Sequence, residues 1–142
     1  MTKLSLEYAA GFFDGEGCIS ISKTKGSKSR GEYKRDAFVL SVRVTQTSFP
    51  VIYSFQETFG GSVYERDYSR GAPYAEWVAT HQKAVPFLEQ MLPLLVVKKE
   101  QASLALDFQN NKQRNKTDEM WEKEHQAYLS MKILNTRGRS LV

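Results

Sequence analysis

The segment Tyr8-Ala9-Ala10-Gly11-Phe12-Phe13-Asp14-Gly15-Glu16-Gly17 constrains the fold more than any other part of the chain. Ser5 is a competent N-cap and Glu7 falls in the first turn, where the helix dipole favours a carboxylate, so a helix is predicted over residues 6–14. Glycine inside a helix costs about 1 kcal/mol relative to alanine, and so short a helix is marginal alone. Tertiary contacts must offset the loss. At helical spacing Gly11 and Gly15 stack on one face with Tyr8 and Phe12, while Leu6, Ala9, Ala10 and Phe13 form a second apolar face. One face serves the chain's own core; the other needs a partner, and small residues let a second backbone approach closely. The same helix from a second subunit, related by a twofold axis, meets that need with Tyr8, Gly11, Phe12 and Gly15 at the contact. Two copies of Glu16 would then meet near the axis. A carboxylate at a helix C-terminus is disfavoured by about 0.3–1 kcal/mol, which a neighbouring cation would relieve. A glycine helix stop with solvated acids is the plainer alternative.

Strand signals follow. Residues 18–24 alternate polar and apolar, as do residues 38–45 over their second half. Ile19 and Ile21 share one face with Leu40, Val42 and Val44; Ser20, Ser22, Thr24, Ser41, Arg43 and Thr45 share the other. Between the strands, residues 26–31 read as a long hairpin turn. A second hairpin is predicted from residues 60–68 and 74–79 around Ser69-Arg70-Gly71, with Tyr64, Arg66, Tyr68 and Arg70 on one face. Further helices are expected from residue 49 or 50 to 59, over 83–92, over 98–110 and over about 117–137, with a basic tail after the last. Helix, hairpin, helix, hairpin and trailing helices make an α+β fold, a four-stranded antiparallel sheet with helices on one face, and the 142 residues are expected to form a single domain. The unit has no internal repeat, so only half of a twofold assembly is encoded.

Composition narrows the function. The net charge is +4, but residues 23–43 alone carry Lys23, Lys25, Lys28, Arg30, Lys34, Arg35 and Arg43 against Glu32 and Asp36, leaving the rest slightly acidic. A solvated loop could carry such a run. Placed on a ribbon with an apolar underside and a hydroxyl-rich top, it suits a polyanion better. A major groove admits a two-stranded ribbon, and about 10 residues of strand match the length of about 10 base pairs. Cys18 is the only cysteine and His81 and His125 the only histidines, which excludes intramolecular disulfides and zinc fingers. No long apolar run suggests a membrane span, and residues 1–4 do not begin a signal peptide, so a protein that is not secreted is expected, in a bacterial or phage-host cytoplasm or an organelle interior.

The stretch Ala9-Ala10-Gly11-Phe12-Phe13-Asp14-Gly15-Glu16-Gly17 resembles the LAGLIDADG motif of homing endonucleases, with Ala for the first Leu, Phe-Phe for Leu-Ile and Glu for the second Asp. The similarity extends to the αββαββα order, to Val44-Thr45-Gln46-Thr47 and to residues 94–102, and is closest to the single-motif, homodimeric branch. The resemblance implies a saddle-shaped sheet and site-specific cleavage of both strands of a long, near-palindromic DNA duplex. That cleavage would promote the mobility of an intron or intein-type element. It places a divalent metal, Mg²⁺ or Mn²⁺ with Ca²⁺ as a non-catalytic substitute, on Glu16 and the Gly15 carbonyl. It assigns water-organising and charge-stabilising roles to Gln46 and Lys98, and gives Asp14 a structural one. Glu for Asp at position 16 moves the carboxylate by about a bond length, to which octahedral Mg²⁺ is sensitive.

Base recognition is then expected from Ser20, Ser22, Thr24, Ser41, Arg43, Thr45, Tyr64, Arg66, Tyr68 and Arg70, and phosphate contacts from Lys23, Lys25, Lys28, Arg30, Lys34 and Arg35. No membrane and no protein partner beyond a second copy are expected. Two other readings compete. Glu32-Tyr33-Lys34 is an E-x-K triplet of the restriction-enzyme kind, which chance readily supplies in a chain this rich in acids and lysines. A non-cleaving DNA- or RNA-binding protein, a maturase or regulator, could use the same scaffold, although the joint presence of Glu16, Gln46 and Lys98 favours cleavage.

Overall fold

The computed structural model describes residues 2–29, 31–67 and 71–136. In chain order the elements are α1 (Leu6–Glu16), β1 (Gly17–Thr24), β2 (Lys28–Ser29), β3 (Glu32–Tyr33), β4 (Ala37–Gln46), α2 (Phe49–Phe59), β5 (Ser62–Arg66) and β6 (Tyr74–Thr80). A 3-10 turn (His81–Lys83) leads into α3 (Ala84–Met91), α4 (Lys99–Asn110) and α5 (Asp118–Thr136).

Strand alternation dictates the layers. β1, β4, β6 and β5 lie side by side in that order, every neighbouring pair antiparallel. Register runs Ile19↔Val42 and Ile21↔Leu40 between β1 and β4, and Val42↔Ala79 and Val44↔Trp77 between β4 and β6. Because facing residues share a side of the sheet, these side chains form one continuous apolar face, and all are buried. Trp77 lies at its centre, fully buried, with ring centroids 5.3 Å from Phe55 of α2 and 4.9 Å from Phe87 of α3. Its indole N–H donates to the Gly60 carbonyl at 2.7 Å, so the one polar atom of the ring is satisfied. Phe13 of α1 meets Phe87 edge-on at 5.0 Å, which joins α1 to the same core.

Several boundaries differ from the sequence expectation, each for a local reason. α1 continues past residue 14 to Glu16, because the stop is Gly17: its N–H bonds the Phe13 carbonyl, and a Cβ there would lie 2.3 Å from the Phe13 ring. The helix therefore turns directly into β1. Leu6, expected on the buried face, is 39% exposed, since Ala9, Ala10 and Phe13 alone fill the contact with the core. In α4 the buried positions are Ala102, Ala105, Phe108 and Gln109, while Leu104 and Leu106 are only partly covered. The 26–31 turn holds structure of its own, a short ribbon in which Lys28 pairs with Tyr33 and Ser29 with Glu32. Thr117 caps the last helix as expected, its hydroxyl accepting from the Met120 amide at 3.2 Å.

Candidate nucleic-acid interface and active site

Everything the sequence singles out at the end of α1 converges there. Asp14 is half-buried and its two carboxylate oxygens accept the backbone amides of Val96 (2.7 Å) and Lys98 (3.1 Å). It ties the helix end to the segment leading into α4, with Leu95 buried as the anchor of that segment. The Lys98 ammonium returns to donate to the Asp14 carbonyl at 2.6 Å. A cation therefore sits on the negative end of the α1 dipole, at the carbonyl two residues before Glu16. Glu16 itself is exposed, and its carboxylate has no hydrogen bond or ion pair with any described residue.

Gln46 lies at the same end of the sheet. Gly17 pairs with Val44, so the junction of α1 and β1 abuts the last residues of β4. The Gln46 side-chain oxygen accepts from the Thr47 amide at 2.8 Å and its hydroxyl at 3.2 Å. A carboxylate and a carbonyl of the last helical turn, where no later amide of the helix can bond it, are hard oxygen donors of the kind that suit Mg²⁺, Mn²⁺ or Ca²⁺. Glu16 and Gly15 thus fit the expected ion. Among the described residues no group of three His, Cys, Asp or Glu side chains could hold a metal, so the donor set within one protomer is partial.

The exposed side of α1 explains its glycines by default. A Cβ at Gly11 or Gly15 would meet nothing within 4 Å among the described residues. Tyr8 is 53% exposed and stacks on Phe12 at 6.0 Å, and Phe12 bridges from this face to Phe55 of the core at 5.9 Å.

Among the described residues, no helix covers the second, bare face of the sheet. By register it carries Cys18, Ser20, Ser22 and Thr24 of β1, Ala37, Val39, Ser41, Arg43 and Thr45 of β4, Tyr74, Glu76, Val78 and Thr80 of β6, and Ser62, Tyr64 and Arg66 of β5. Arg43, Thr45, Tyr64 and Arg66 are exposed. Ser41 shares the face but is buried, its hydroxyl 2.9 Å from that of Ser20, so it is spent on its neighbour instead of projecting outward. Lys23 lies on the helix side: it is opposite Phe38, in the parity of Ile19 and Ile21, with its ammonium 5.5 Å from the Tyr128 ring of α5. Arg35 is drawn to α5 as well, paired with Asp118 and stacked 5.4 Å from the Trp121 ring. Lys25, Lys28 and Lys34 are exposed around the small ribbon. Arg30, Tyr68, Arg70 and the basic tail lie outside the described residues. Glu32 and Tyr33 of the E-x-K triplet form β3, so a strand of two residues does hold that segment.

Glu76 was not singled out from sequence, although its alternation with the buried Ala75 and Trp77 marks it for the bare face. It lies between Arg43 (3.7 Å) and Arg66 (4.0 Å).

An open sheet with one helix-covered and one polar face, beside a glycine-faced helix ending in a free carboxylate, defines a narrow class of protein. A family model described as LAGLIDADG endonuclease matches residues 9–102, and the chain belongs to that family. Solved structures of similar fold include the archaeal intron-encoded homing endonuclease I-Vdi141I in complex with DNA, with a TM-score of 0.76, 18% identity, and coverage of 94% of this chain and 85% of that one. Homing endonuclease I-CvuI bound to a DNA target in the presence of Mg, the DNA not cleaved, matches with a TM-score of 0.74 and 22% identity over 91% of this chain and 80% of its own. Homing endonuclease I-TnaI matches with a TM-score of 0.71 and 21% identity over 94% and 95%. Comparison with curated protein sequences finds no match.

Proposed function

We propose that this chain is a site-specific DNA endonuclease that acts as a homodimer and hydrolyses one phosphodiester on each strand of a near-palindromic duplex of about 20 base pairs, with a divalent cation. Such cleavage would promote the mobility of the intron or intein-type element that encodes it. The observation that carries this reading is the α1 face: two glycines at which an added Cβ would meet no described atom within 4 Å, leading to an exposed carboxylate with no partner among the described residues. Glycine costs helix stability at both positions, and a second α1 packed against them accounts for that loss. It also brings two Glu16 side chains together, completing a donor set that one protomer leaves partial. I-CvuI in complex with its target in the presence of Ca, and with the I-CreI target in the presence of Mg, a match that covers most of both chains, supports DNA and a divalent ion as the ligands.

In this arrangement the bare sheet face follows the major groove, with Arg43, Tyr64 and Arg66 towards the base edges and Lys25, Lys28 and Lys34 towards phosphates. Glu16 and the Gly15 carbonyl hold the cation, which when bound supplies Lewis-acid stabilisation of the phosphoryl oxygens. Lys98, already fixed at the end of α1, offers its ammonium to negative charge developing at the scissile phosphate. Gln46 releases Thr47 to orient a water for in-line attack. Asp14 holds the Lys98 segment in place and leaves the chemistry to its neighbours.

Glu16→Gln keeps shape and removes the charge. Metal-dependent cleavage by the variant should fall by about 10³-fold, on the scale of losing one preorganised electrostatic group, with duplex binding by gel shift retained. Cleavage that survives Glu16→Gln but is lost in Glu32→Gln would move the site to the E-x-K triplet. Binding by the wild type without cleavage in Mg²⁺ or Mn²⁺ would mark the non-cleaving alternative.

A further inference from the structure

An acid on a face that approaches phosphates is unfavourable, and Glu76 is the only one that the strand register places on the bare face among the described residues. Its geometry supplies the reason. Glu76 lies on β6 opposite Thr45 of β4 and Tyr64 of β5, while Arg43 is opposite Val78 and Arg66 opposite Tyr74. Arg43 and Arg66 are thus its diagonal neighbours on either side, and the three form a line across three strands. One carboxylate oxygen faces the Arg43 guanidinium at 3.7 Å and the other faces that of Arg66 at 4.0 Å. The Glu76 side chain is only 15% exposed, whereas the arginines are 44% and 51% exposed. The acid lies low in the face and the guanidinium groups rise outward from it. Arg66 is held from a second side, 5.1 Å from the Tyr64 ring.

Resting on the DNA-cleaving reading above, we propose that Glu76 is a positioning residue for sequence recognition, holding Arg43 and Arg66 with their remaining N–H donors aimed outward at guanine. A free arginine wanders among many rotamers and meets any phosphate. One whose fork is already oriented presents two parallel donors that match guanine O6 and N7 and no other base. The same negative charge cancels part of the attraction of this face for arbitrary duplex, so Glu76 raises the ratio of specific to non-specific binding twice over.

The test is selection of bound and cleaved sites from a randomised duplex library by the full chain, as wild type, Arg43→Ala, Arg66→Ala, Glu76→Gln and Glu76→Asp, with thermal unfolding of each. The two arginine variants locate the base pairs each arginine reads. The proposal expects Glu76→Gln to lose about tenfold in base discrimination at both of those positions together, to bind random duplex more tightly, and to unfold near the wild-type temperature; Glu76→Asp should recover part of the discrimination. Loss confined to a third base pair would make Glu76 a direct reader of cytosine or adenine amino groups and overturn the proposal. Unchanged specificity, with or without a fall in stability, would overturn it in favour of a structural role. If Arg43→Ala and Arg66→Ala leave the selected sequence as it was, the DNA-facing assignment of the sheet fails and Glu76 falls with it.

Discussion

The two faces of the one sheet are built from alternate residues of the same strands, yet they obey different rules. On the covered face Ile19, Leu40, Val42, Val44, Ala75 and Trp77 are buried, and the strands that carry them pack against all five helices. On the bare face the intervening residues are mostly hydroxyls, arginines, tyrosines and one acid, with Cys18, Ala37, Val39 and Val78 among them. A slip of one residue in register would exchange the two sets, so the apolar face fixes which side chains the polar face can present. Stability and recognition are therefore coupled through register but separable by substitution. α1 repeats the contrast on a smaller scale, with Ala9, Ala10 and Phe13 buried and Tyr8, Gly11 and Gly15 outward.

Substitution on each face should break the molecule in a different way. Trp77→Ala removes a fully buried ring from contact with Phe55 and Phe87 and should cost about 3–5 kcal/mol in denaturant unfolding, with DNA binding lost only as the chain unfolds. If stability were unchanged, the covered face would not be the core. Gly11→Leu should weaken dimerisation by about 1–3 kcal/mol, the scale of an overpacked contact, with the protomer intact because no described atom lies near that Cβ. An unchanged dimer mass by light scattering would place the interface elsewhere. Arg43→Ala should cost about 1–3 kcal/mol of binding to the preferred duplex while leaving thermal unfolding nearly unaltered, the reverse of Trp77→Ala.

The smallest effect concerns pH. Lys112 lies in the loop between α4 and α5, its ammonium donating to the Phe38 carbonyl and 3.9 Å from Glu124. Burial lowers its pKa below the usual 10.5, against the opposing pull of Glu124 and with Lys116 adding to the lowering. The folded chain then gives up a proton that the unfolded chain keeps, so stability should rise as pH passes through the lowered value towards 10.5. Lys112→Met should flatten that rise in unfolding measurements made at neutral and alkaline pH.

What was legible in the sequence was what local periodicity encodes. β1 and the second half of β4 alternate polar and apolar residues, so their faces could be read, and the same alternation assigns Glu76 of β6 to the bare face and Lys23 to the helix side. The glycine spacing of α1 distinguished its two faces because helical geometry is fixed. The contacts that assemble the α1 end were not legible. Asp14 meets Val96 and Lys98 more than 80 residues away, and nothing in residues 94–98 announces that their amides need a carboxylate. The burial of Ser41 and the capture of Arg35 by Asp118 and Trp121 likewise depend on tertiary neighbours, which no strand pattern specifies. Gly15 looked like a helix stop because glycine often is one, but the steric demand of Phe13 falls on Gly17.

The central claim is that the bare face reads duplex DNA while paired α1 helices cut it. Selection of cleaved sites from a randomised duplex library, with Mg²⁺ or Mn²⁺ and in chelator, tests it most directly. The account predicts metal-dependent cuts on both strands, at a sequence with twofold symmetry spanning about 20 base pairs. Cleavage indifferent to chelator, or a selected site with no symmetry, would contradict it.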